Sequence, residues 1–89
     1  MRSIAVAIAL SAFVSLAAYA KRELDYSKPW CAEHNGQAEV VLDGGTRADC
    51  VTSTHAIEVE RAGHWYQAIG QSLWYAFQVN KRAGIVMIL

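Results

Sequence analysis

The sequence predicts one small α/β domain ordered helix-strand-strand-strand-helix-strand, and three observations predict it. Residues 37–60 alternate in polarity around two turn signals, the pattern of an antiparallel meander. Helical spacing follows over His64–Gln78, where Trp65, Ile69, Leu73, Ala76 and Phe77 recur as a core-facing stripe. The wholly apolar run Ile85-Val86-Met87-Ile88-Leu89 suits a last strand, parallel to its predecessor and covered on both faces.

The chain opens with Arg2, an apolar run from Ile4 to Ala17, and Ala18-Tyr19-Ala20, the anatomy of a cleaved secretory signal peptide over residues 1–20. An uncleaved membrane anchor over residues 4–20 is the alternative, since that run approaches the ~20 residues that span a bilayer. Cleavage after Ala20 leaves 69 of the 89 residues, starting at Lys21, in the periplasm or outside the cell. A domain of that size buries only ~60% of its unfolded surface and usually needs a staple or a partner. The mature part keeps all eight acids and seven of the eight bases, for a net charge near −1. With no basic stripe, bulk attraction to nucleic-acid phosphate is weak, and any such contact must be local. Arg47, Lys81 and Arg82 are the candidates, or simply solvated charges near turns.

Lys21–Lys28 reads as a polar linker, so the domain is expected over 29–89. Pro29 opens a short helix through Glu33, and Asn35-Gly36 stops it. The first strand, Gln37–Leu42, places Ala38, Val40 and Leu42 on one face; Asp43-Gly44-Gly45 turns the chain. The return strand, Thr46–Val51, places Arg47, Asp49 and Val51 on one face and Ala48 and Cys50 on the other. Thr52-Ser53-Thr54 connects to a third strand, His55–Glu60. In the long helix, Gly70 costs ~1 kcal/mol against Ala and suggests close approach to a sheet. No polar residue follows Leu89, which reads either as a truncated product or as an edge, Ile85–Leu89, covered by a protein partner or a second copy.

Two cysteines in an exported chain predict a Cys31–Cys50 disulfide. The alternatives are a zinc site with His34 and His55, or two free buried thiols.

Asp49 lies near the end of the second strand, and Glu58 and Glu60 share a face of the third. Neighbouring antiparallel strands bring such side chains together. Their oxygens suit Mg2+ or Mn2+, and a cation held there can activate water and clamp a phosphate oxygen. Blander readings stand beside this one. Glu58 and Glu60 would be the solvated face of an edge strand, Asp49 a surface ion-pair partner of Arg47 or Arg61, and Gln71 and Tyr75 the polar flank of a helix.

The order of elements, Asp49 within "RADC", Glu58-Val59-Glu60 as "EVE" and Gln71–Tyr75 as "QSLWY" together resemble the PD-(D/E)XK nuclease superfamily, in its RecB-like Q-x-x-x-Y form. The resemblance spans Trp30–Leu89 and extends to a small group of exported bacterial proteins of this fold. It implies a restriction-endonuclease-like core and metal-dependent hydrolysis of DNA phosphodiesters. On the matching residues it implies that Asp49 and Glu58 ligate metal, Glu60 orients water or a second metal, and Gln71 and Tyr75 position the substrate backbone. Glu33 is the candidate for the family's first-helix Glu and a further ligand. Glu60 stands where most members carry Lys, although some restriction enzymes of the superfamily also carry Glu there. The alternatives from other classes are an inactive module of the same fold that binds a periplasmic partner, and a small structural protein held by its disulfide.

Overall fold

The first helix starts earlier than its proline suggests. The Arg22 backbone N–H donates to Asp25 Oδ2 at 3.0 Å, half of a capping box. Glu23 and Asp25 also place negative charge at the positive end of the helix dipole. Helix α1 therefore spans Glu23–Glu33, with Pro29 inside it. The expected linker is corrected accordingly: 23–28 are helical, because the cap outweighs the one intrahelical donor that Pro29 removes. The computed structural model describes residues 22–89, so the signal peptide over 1–20 and the anchor over 4–20 lie outside the described residues. Among the described residues, no helix is long and apolar enough to cross a membrane.

Strand β1 (Gln37–Val41) leads through a 3-10 turn at Asp43–Gly45 into β2 (Arg47–Val51), then β3 (His55–Arg61). Gly44 and Gly45 take φ of 85° and 82°, a conformation that favours glycine. A second 3-10 turn, Ala62–His64, opens α2 (Trp65–Val79), and β4 (Arg82–Ile88) ends the fold. The sheet order is β1-β2-β3-β4. The first three strands are antiparallel, and β4 runs parallel to β3 after the α2 crossover. The chain is thus a single small α/β domain with two helices and a four-stranded mixed sheet. Its helices cover opposite faces. Ile57 and Val59 join Cys31 and Cys50 on the α1 side, and Ala56 joins Tyr75 and Ala76 on the α2 side.

Alternation fails at one rung. Cys50 packs in the α1 cluster and Ala48 in the α2 cluster, although they lie two positions apart on one strand, where a shared face is expected. Ala38 and Leu42 divide in the same way. The break falls at Glu39, whose φ of 52° is left-handed, between the pairs Ala38↔Cys50 and Val40↔Ala48. Lys28 at 3.8 Å and Arg47 at 3.5 Å hold the Glu39 carboxylate. The expected shared faces of Ala38 with Leu42 and of Arg47 with Val51 are corrected by this irregularity, which also re-aims Asp49.

Cys31 and Cys50 form a disulfide with a Cα–Cα separation of 5.6 Å. The described residues contain no free cysteine, so the zinc reading has no thiolate to use. The rest of the core is slight: among the described residues, Val59 is the largest fully buried side chain. Of the expected stripe, Ala76 alone is buried; α2 turns its small residues to the sheet, adding Ala68, Ser72 and Tyr75 to the buried face. Trp65, Ile69, Leu73 and Phe77 stay exposed. Gly70 makes no close approach to the sheet, since a Cβ there would meet nothing within 4 Å. β4 is an edge strand with Ile85 and Met87 exposed, not a strand covered on both faces.

Candidate active site

The β2–β3 ladder consists of the pairs Cys50↔Ile57 and Val51↔Ala56. One residue further along, carboxylates take over from the backbone. The Val59 N–H donates to Asp49 Oδ2 at 2.8 Å, and the Asp49 N–H donates to Glu58 Oε1 at 3.3 Å. Two acids are thereby inserted between neighbouring strands, with no buried side-chain polar atom among the described residues left unpaired.

Glu58 and Glu60 are 6% and 7% exposed. That burial removes the reading of a solvated edge strand, for β3 is internal. Arg47, offered as a surface partner for Asp49, pairs with Glu39 instead. Glu60 Oε1 accepts the Arg61 backbone N–H at 3.0 Å and lies 3.9 Å from His64 Nδ1. Glu23, in the first turn of α1, lies close enough for Glu60, Asp49 and Arg61 to act on its carboxyl.

Glu33 does not join this group. Trp30 and His34, at the far end of α1, line a cleft with Thr52–His55 beside the start of β3, whereas Glu60 lies near the end of β3. The acid that α1 brings to the site is therefore Glu23, ten residues before Glu33. Its early cap, Arg22 with Asp25, was the available signal.

Tyr75 is 6% exposed, and the charges of Glu58 and Asp49 act on its hydroxyl. Gln71, one turn earlier on α2, is exposed. Lys81 and Arg82 sit elsewhere. They line a cleft of about 560 Å³ with Ser53, Thr54, His55 and Asn80, at the end of the β3–β4 pair marked by His55↔Arg82. Glu60 pairs with Met87 towards the other end.

Burial, then the neighbouring Asp49 charge, pushes the Glu58 carboxyl up to about 8. Burial also raises Asp49, against the Val59 N–H, which favours its charged form. Glu23 is raised by burial and by Glu60, while burial, Glu58 and Asp49 raise Tyr75.

A carboxyl raised in the folded state favours folding fully below its unfolded pKa, and that contribution fades as pH rises through the folded value. The window for Glu58 runs from 4.5 to about 8. The metal-free protein should therefore melt on the order of 5–10 °C lower at pH 8 than at pH 5. Thermal unfolding followed by circular dichroism across that range checks it.

As they stand, no three His, Cys, Asp or Glu side chains among the described residues are arranged to hold a metal ion. The donor chemistry nevertheless fits a hard cation. Asp49 and Glu58 each give one oxygen to a backbone N–H, which leaves the other carboxylate oxygen as a donor. Mutual repulsion of buried acids is also what a cation relieves. No family model, curated protein or solved structure matches the chain.

Proposed function

We propose that the protein is a metal-dependent phosphodiesterase acting on DNA, with a restriction-endonuclease-like core. The carrying observation is the insertion of Asp49 and Glu58 between β2 and β3, with Glu60 alongside and Glu23 near enough to feel its charge. Asp49 and Glu58 would hold Mg2+ or Mn2+. Such a cation lowers the pKa of a bound water and neutralises charge on a phosphate oxygen. The backbone N–H groups of Val59 and Asp49 fix the carboxylates that face it, so little rotamer freedom is lost on binding.

Glu60 stands where a water-orienting group is needed, with His64 beside it to accept or return a proton. The Tyr75 hydroxyl offers a donor next to the same acids, and exposed Gln71 can reach a phosphate from solvent. Arg61, close enough to act on Glu23, is the cation nearest to the role of the Lys that Glu60 replaces.

The test uses the chain from residue 21 onward, incubated with supercoiled DNA in Mg2+ or Mn2+, with and without chelator. Chelator-sensitive nicking, and calorimetric binding of about one cation with release of about one proton at pH 7, are expected. Absence of both would leave the inactive partner-binding module as the reading.

A further inference from the structure

Helix α2 carries no charged residue over Trp65–Val79. Its outer surface presents Trp65, Tyr66, Ile69, Leu73, Trp74 and Phe77, exposed by 43% to 78%. Taking about 200 Å² for a large side chain, the patch exposes on the order of 600 Å². That exceeds the few hundred Å² an ordinary monomer leaves open, and approaches the ~800 Å² each partner contributes to a stable interface.

We propose that this face is the interface of a homodimer, formed by two α2 helices that cross at Gly70. Three observations point to a second copy as the occupant. A two-fold interface sets a surface against itself, which charge would oppose; this surface has none. Gly70 lies within the patch with open space around it, so the monomer does not account for a helix-weakening residue that a crossing helix would require. The core is also small-residue rich: among the described residues Tyr75, Ile57 and Val59 are the large side chains it buries, while Trp65, Tyr66, Ile69, Leu73, Trp74 and Phe77 lie outside. That distribution matches obligate dimers, whose interface resembles a domain core cut in half.

Sedimentation velocity on the chain from residue 21 onward should show a dimer at about 10 μM. Leu73→Glu/Phe77→Glu changes exposed positions only, so far-UV circular dichroism should be unchanged while the dimer dissociation constant rises at least about 100-fold. Gly70→Leu adds apolar surface but fills the crossing point, and should weaken association. A wild-type chain that stays monomeric at about 100 μM overturns the proposal, whether or not it binds lipid vesicles. A dimer that survives Leu73→Glu/Phe77→Glu but is lost in Met87→Lys also overturns it, placing the contact on the β4 edge. Tighter association of Gly70→Leu overturns the crossing point.

Discussion

Glu58→Gln should remove metal-dependent cleavage while raising the melting temperature of the metal-free protein at pH 8. Both effects have one cause. Glu58 is buried against Asp49, and its ionisation is opposed by desolvation and by that neighbour's charge. A neutral amide avoids that opposition but offers a cation only a weak carbonyl donor. Cleavage should fall by at least about 100-fold, and the stability slope between pH 5 and pH 8 should flatten.

Asp49→Ala separates the two effects. It should abolish cleavage equally, yet destabilise the fold, because the buried Val59 N–H loses its acceptor at a cost of about 1–3 kcal/mol. Glu60→Lys restores the commoner motif and sets an ammonium beside Glu23 in place of an acid–acid contact. A working site should tolerate it better than Glu60→Ala. Gln71→Ala should slow turnover and leave cation binding intact, since the side chain is exposed to solvent. DNA nicking rates and cation titrations on the same preparations check all four variants. If Glu58→Gln neither stabilises the protein at pH 8 nor changes its cation binding, the acid pair is not the site.

The order of elements was legible because turn chemistry and period are local properties. Asp43-Gly44-Gly45 and the change of spacing after Glu60 are written in single stretches of chain. The Asp49–Glu58 contact follows from the same locality, for it lies one step beyond the pair Cys50↔Ile57. The start of α1 was misplaced because proline favours a first turn, whereas here the Arg22–Asp25 cap prevails. With it went the identity of the first-helix acid, Glu23 in place of Glu33. The face of α2 was misassigned for a different reason. Apolar periodicity marks a face that avoids water but does not say what covers it. Beneath α2 the sheet offers Ala48, Ala56 and Ala83, and those small side chains meet the helix's own small face. Large residues at helical spacing are then left for another surface. The rung at Glu39 was not legible at all, since a left-handed glutamate depends on Lys28 and Arg47 from two other elements.

Reduction of the Cys31–Cys50 bridge should lower the melting temperature by on the order of 10–20 °C, and with it any cleavage. Closing a loop of this span, 19 residues apart in sequence, contributes about 3 kcal/mol in the chain-entropy picture. For a domain of this size each kcal/mol corresponds to roughly 4–8 °C. The effect should be global because α1 has few other attachments. Its buried residues are Ser27 and Cys31, with Trp30 half-buried against the same cluster. Gly36 packs directly on both sulfurs, where a Cβ would collide with them, so the turn into β1 is fitted around the bridge as well. Loss of α1 would carry Glu23 away from Glu60 and open the site at that end. Cys31→Ser/Cys50→Ser should reproduce the reduced protein, and its thermal unfolding, compared with the oxidised chain at pH 7, provides the measurement. A melting point within about 3 °C of the oxidised protein would mean that α1 is held by packing alone and that the bridge is incidental to the site.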